Sequence, residues 1–152
     1  MNRRQFVCSV VGLSVAAVVP LPALASGETM VIYKDPNCGC CHLWSEAMKQ
    51  AGFKTEIHDV DDLVAVKKRF GVPEAVTGCH TATVSDYFVE GHVPLAAVRE
   101  LLQKRLDIAG VAVPGMPSGS LGMGDSAGAS YDVHSVGRDG SVKVVLEVRP
   151  KP

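Results

Sequence analysis

The sequence has no basic stripe, no glycine-rich phosphate loop, no pair of catalytic carboxylates and no Ser-His-Asp arrangement. These absences leave nucleic-acid binding, nucleotide chemistry and hydrolysis without support. There is no internal repeat. The apolar run Val7–Val19 has 13 residues, well short of the roughly 20 that a membrane span needs. It follows a basic start, Met1-Asn2-Arg3-Arg4-Gln5-Phe6, and is broken by Pro20 and Pro22. Ala23-Leu24-Ala25 then offers a small-x-small cleavage site, so residues 1–25 read as a secretory signal peptide. Arg3-Arg4-Gln5-Phe6 also has the form of a twin-arginine export signal. The remainder, 26–152, suffices for one compact domain with no membrane span. Its 13 basic residues against 16 acidic ones leave a formal charge of −3.

What is present is sulfur. Cys38-Gly39-Cys40-Cys41-His42 packs three thiols and an imidazole into five residues, and Cys79 supplies a fourth thiol to the exported chain. Thiols so close are bridged, redox active or holding a soft metal. Two plain structural disulfides are the bland outcome for an exported protein. The spacing disfavours it, because a bridge between neighbours Cys40 and Cys41 is strained and bridging Cys79 leaves two crowded thiols.

The surrounding pattern is that of an α/β domain. Thr29–Tyr33 reads as a strand, and Leu43, Trp44, Ala47, Met48 and Ala51 recur at helical spacing up to Gly52. Lys54–Val60 reads as a strand, and Asp61 or Asp62 can cap a helix that runs through Leu63, Val66 and Phe70. Thr81–Val84 and Tyr87–Glu90 form strands about a turn at Ser85-Asp86, and Pro94 opens a third helix faced by Leu95, Val98, Leu101 and Leu102. The order β-α-β-α-β-β-α with a cysteine motif at the first strand-to-helix junction predicts a thioredoxin-like fold. Gly115–Gly124, a Gly/Ser/Pro loop holding Met116 and Met123, extends it, as does a closing β-hairpin of Tyr131–Val136 and Val142–Val148.

Cys38 and Cys41 form a C-x-x-C pair at a helix start, which serves dithiol exchange and metal capture equally. Cys40 favours metal, since a third thiol invites scrambling in an oxidoreductase but adds a ligand to a cluster. In the predicted fold Cys79 faces the first helix's amino end, so all four sulfurs converge although 38 residues separate Cys41 from Cys79. Met116 and Met123 sit in a polar loop, not on an apolar face, and thioether is a ligand chosen by Cu(I). His42 and His80 each adjoin a site cysteine and are weaker candidates, whereas His92 reads as a loop-ordering residue and His58 and His134 as strand residues. Zinc prefers two separated ligand arms. Three ligands crowded on one arm suit Cu(I), with bridging thiolates able to hold more than one ion.

Tyr33-Lys34-Asp35-Pro36-Asn37-Cys38-Gly39-Cys40-Cys41, Gly78-Cys79-His80-Thr81, Glu90-Gly91-His92-Val93-Pro94 and Gly115-Met116-Pro117-x-Gly119-Ser120 resemble the signature of the CopG-type copper-resistance proteins. The resemblance runs in order from about Thr29 to Val148. It implies a thioredoxin-like fold, a periplasmic location, and copper held as a Cu(I) or Cu(I)/Cu(II) multinuclear cluster. By position it assigns Cys38, Cys40, Cys41 and Cys79 as core ligands, with Met116 and Met123 as further candidates. The chain departs from the family pattern at Leu121 and Gly124, where a proline and an acidic residue flank the second methionine. The expected function is periplasmic copper binding in copper resistance, with copper ions and other periplasmic copper-handling proteins as partners. A periplasmic thiol–disulfide oxidoreductase using Cys38 and Cys41 is the alternative.

Overall fold

The structure, a computed structural model, describes residues 27–150, so the signal peptide read at 1–25 lies outside the described residues. Among these, the elements run β1 (Thr29–Lys34), α1 (Gly39–Gln50), β2 (Lys54–Asp59), α2 (Leu63–Arg69), a 3-10 turn (Glu74–Val76), β3 (His80–Val84), β4 (Tyr87–Glu90), α3 (Leu95–Lys104), β5 (Gly110–Ala112), β6 (Tyr131–Val136) and β7 (Val142–Val148). The strands form one mixed sheet in the order β2-β1-β3-β4-β5-β6-β7. β1 pairs in parallel with β2 and antiparallel with β3, and β3 and β4 form a hairpin whose turn places Ser85 at φ +52°. β4 and β5 are parallel, the long connection between them being filled by α3.

Local chemistry accounts for most boundaries. The Asp62 side chain accepts from the Ala65 N–H and caps α2, while Lys67, Lys68 and Arg69 occupy its last turn against the carbonyl end of the helix. Pro94 stands one position before α3, not inside it, with extended backbone. β3 begins at His80, one residue earlier than the apolar pattern suggests, because His80 pairs with Lys34 of β1. β5 was not expected. Its three residues are too few to show alternation, yet by pairing with both β4 and β6 it joins the closing hairpin to the rest of the sheet.

Strand alternation divides the core between two faces. Met30, Ile32, Ala82, Val84, Val89, Val111 and Val133 pack with Trp44 and Met48 of α1 and Val98 and Leu101 of α3. Phe88, Ala112 and Val136 face the other way, against Val72 and Val76. α1 is rotated from the face its apolar spacing implies: Cys41, Trp44, Ser45 and Met48 are buried, whereas Leu43 is 57% exposed. The rotation seats the Trp44 indole, whose Nε1–H donates to the Val93 carbonyl at 2.9 Å, and turns Cys41 inward. Among the described residues no helix is long and apolar enough to cross a membrane.

Met48 and Leu43 test this orientation. Met48→Ala is expected to lower unfolding free energy by about 2–5 kcal/mol through an unfilled cavity, and exposed Leu43→Ala by no more than about 0.5 kcal/mol. Urea denaturation of the apo protein reads both, and equal effects would contradict the rotated face.

Candidate metal centre

The Asp35-Pro36-Asn37 turn delivers the first arm of the site. The Asp35 carboxylate accepts from the Asn37 N–H at 2.7 Å, and the Asp35 carbonyl accepts from the Cys38 N–H at 3.0 Å. Cys38 is then the residue before α1, with Cys40 and Cys41 in the helix's first turn. The second arm arrives through sheet register. Lys34 at the end of β1 pairs with His80 at the start of β3, so Cys79 lies beside the segment that leads into α1.

The four sulfurs lie within 4.8 Å of one another. Cys38 and Cys41 are joined as a disulfide with their Cα atoms 5.4 Å apart, while Cys40 and Cys79 are free thiols. Cys40 Sγ is 3.6 Å from Cys38 Sγ, and Cys79 Sγ is 3.5 Å from Cys41 Sγ. Cys41 is buried, and the other three are half-buried. The convergence of Cys79 on the C-x-C-C arm is therefore a fact of the fold.

A second group overlaps the first. Cys79, His80 and His92 also place their ligand atoms within 4.8 Å of one another. His92, which the sequence allows either to order a loop or to serve as a ligand, has its Nε2 2.9 Å from Cys79 Sγ and its Nδ1 2.6 Å from the Leu121 carbonyl. A carbonyl can only accept, so Nδ1 carries the proton and Nε2 turns its lone pair to the sulfur. Burial holds the His92 imidazole below its ordinary pKa, hence neutral. Burial, reinforced by the adjacent Cys40 sulfur, pushes the Cys79 thiol up to about 12. The pair thus reads as a neutral thiol donating to a neutral imidazole. His80 is fully buried between the Trp44 and His92 rings, its Nδ1 3.4 Å from Cys79 Sγ. Its Nε2 is buried with no hydrogen-bond partner among the described residues, and burial depresses its pKa strongly. His42 is exposed. His58 and His134 lie in β2 and β6, as strand residues.

The methionine loop passes over the helix start. A Cβ on Gly122 would stand 2.9 Å from both the Cys40 carbonyl and the Trp44 nitrogen and 3.3 Å from His92 Nδ1, so only glycine permits this approach. Met123 follows that contact directly and is half-buried. Met116 is 57% exposed and follows Gly115, whose N–H donates to the Thr77 carbonyl two residues before Cys79. The loop thus brings the backbone at both methionines beside the two cysteine arms.

Sequence reasoning leaves the role of His92 open and misses a buried acid, Glu90. The signal for both was the polar Glu90-Gly91-His92 at the end of an otherwise apolar strand, where solvent-facing residues were the simpler reading. Both are fully buried.

Four cysteine sulfurs and an imidazole lone pair make a soft-ligand centre on a small mixed α/β sheet. The comparisons agree with that class. Two solved structures, "Copper resistance protein copG- Form 2" and "Copper resistance protein copG- Form 1", are each 41% identical to the chain, with TM-scores of 0.76 and 0.75. They cover 80% and 81% of this chain, and in each case 98% of their own. The family described as "Protein of unknown function, DUF411" matches residues 76–123. No curated protein matches the chain. The chain belongs to the CopG family of copper resistance proteins.

The bridge makes a count checkable. Thiol titration in denaturant of residues 26–152, prepared without reductant, is expected to find two thiols, Cys40 and Cys79, and four after reduction. Four before reduction would contradict the Cys38–Cys41 bridge.

Proposed function

We propose that this chain is an exported, periplasmic copper-binding protein that contributes to copper resistance by holding Cu(I) on cysteine thiolates. The observation that carries the reading is the gathering of Cys38, Cys40, Cys41 and Cys79 within 4.8 Å, from two arms of the chain. With the Cys38–Cys41 bridge reduced, four thiols face one another, and a soft cation binding there takes them as thiolates and releases their protons. So many sulfurs so close suit bridging thiolates and a multinuclear cluster. His92 Nε2 supplies the nitrogen nearest the sulfurs, and Met116 and Met123 are the thioether candidates from the covering loop. The mixed donor set is also compatible with a Cu(I)/Cu(II) couple. The sheet order β2-β1-β3-β4, with α1 leaving β1 at the cysteine motif, supports placing the first four strands in the thioredoxin-like class. The name of the two similar structures, copper resistance protein, supports copper as the ion and other copper-handling proteins as partners.

Anaerobic titration of the reduced chain with Cu(I), followed by desalting against a strong chelator and metal analysis, tests the proposal. More than one copper retained per chain is the expected result. Cys79→Ala is expected to weaken binding by more than the about 10- to 100-fold that loss of a ligand-orienting partner costs. Unchanged affinity and ratio in that variant would exclude the four-sulfur centre.

The Cys38–Cys41 bridge favours a second reading, a periplasmic thiol–disulfide oxidoreductase. It predicts insulin reduction by the metal-free protein, abolished in Cys38→Ser. Absence of turnover, with copper retained, would leave copper binding alone.

A further inference from the structure

We propose that Glu90 is the positioning residue of the cysteine centre, its buried carboxylate fixing Cys79 against the other three sulfurs and against His92. The proposal rests on the copper reading for its meaning, but the contacts exist without metal.

Glu90 ends β4 and is fully buried. Its carboxylate receives three donors from three segments. Oε1 accepts from the Gly78 N–H at 2.7 Å and from Lys67 Nζ of α2 at 2.5 Å, and Oε2 accepts from the Thr81 hydroxyl of β3 at 2.6 Å. Lys67 also donates to Thr81 Oγ1 at 3.2 Å. Gly78 and Thr81 bracket Cys79-His80, so one carboxylate holds the backbone just before and the side chain just after the pair that faces the centre. Thr81 and Glu90 are cross-strand partners on the sheet face opposite His80 and Trp44, which keeps the acid clear of the sulfurs themselves.

The same segment carries the nitrogen. Gly91, next after Glu90, donates its N–H to the His80 carbonyl at 2.9 Å. A Cβ on Gly78 would stand 2.5 Å from the Gly91 Cα, so the two backbones touch where side chains would forbid it. One residue further along each arm, Cys79 Sγ and His92 Nε2 meet at 2.9 Å. The Gly78 N–H bond to Glu90 sets the direction in which that arm leaves the contact.

Stability alone is a weak reason for this arrangement. The desolvation of a buried carboxylate and ammonium largely offsets their attraction, and an apolar pair of equal volume commonly holds helix to strand as well. An apolar side chain at position 90 would leave the Gly78 N–H with no acceptor and its orientation unset. Directional hydrogen bonds behind a ligand are the means by which proteins fix ligand geometry.

Four proteins form a cycle: the wild type, Glu90→Gln, Cys79→Ala and the double variant. Cu(I) affinity is measured for each by chelator competition, with circular dichroism as the check on folding. Glu90→Gln is expected to lower affinity about 10- to 100-fold in the wild-type background and to cost nothing further when Cys79 is already absent. Equal costs in the two backgrounds would make Glu90 a general structural residue and overturn the proposal.

A metal-free readout accompanies it. In the bridged protein carrying Cys40→Ser, Cys79 is the remaining free thiol among residues 26–152, and its rate with a bulky disulfide reagent is expected to rise when Glu90→Gln is added. An unchanged rate in a folded protein would also overturn the proposal. Should Glu90→Gln not fold, Thr81→Val removes one of the three donors with little change of shape and carries both measurements. If the wild type takes up no Cu(I), the copper reading falls, and the Cys79 rate then decides the role of Glu90 by itself.

Discussion

The antiparallel pairing of β1 with β3, in the register that sets Lys34 beside His80, is the constraint on which the centre depends. The loop into α1 leaves from the end of β1, and Cys79 stands at the entrance to β3, so this register alone brings sulfurs 38 positions apart to 3.5 Å. A slip of one residue would turn His80 out of the core and point Thr81 at Trp44, because strand side chains alternate between faces. Burial on both faces of β3 makes such a slip costly: Ala82 and Val84 are fixed against α1 on one side, and Thr81 is fixed by the carboxylate of Glu90 on the other.

Four cysteines within 4.8 Å cannot all be thiolates without a cation, since like charges that close raise one another's pKa. The structure reduces that charge in two ways. Two sulfurs are paired in a bridge, and the Cys79 thiol keeps its proton, shared with a neutral His92. Both arrangements are reversible, one by reduction and the other by proton loss. The polar groups around them divide between the faces of the sheet: imidazoles and sulfurs lie on the side of Trp44, and the Lys67–Glu90 pair lies on the side of α2. The segregation keeps a hard carboxylate away from soft ligands while still letting it direct the backbone that carries them.

The order of strands and helices through Glu90, an aspartate cap at Asp61 or Asp62, the hairpin Tyr131–Val148 and the four-cysteine inventory were all readable from the sequence. Each rests on local chemistry: alternation, a side chain that satisfies free N–H groups, glycine or proline at a turn. Three things were not readable. Strand β5 is too short to show a period. The buried face of α1 is not legible because Leu43 and Trp44 both look like core, and only the fit of the indole to the Val93 carbonyl chooses between them. Glu90 and His92 carry the composition of a surface loop, yet both are buried by the methionine loop, the Gly78–Gly91 contact and α2, all distant in sequence.

The sequence by itself determined the kind of chemistry: soft sulfur ligands crowded on one short arm, with a fourth further along the chain. It could do so because ligand type is a property of the residue. Tertiary structure decided the arrangement, including which sulfurs touch, which imidazole joins them and which acid holds them in place. Those are distances between segments far apart in the chain, set by strand register and by two glycines whose missing side chains let the backbones meet.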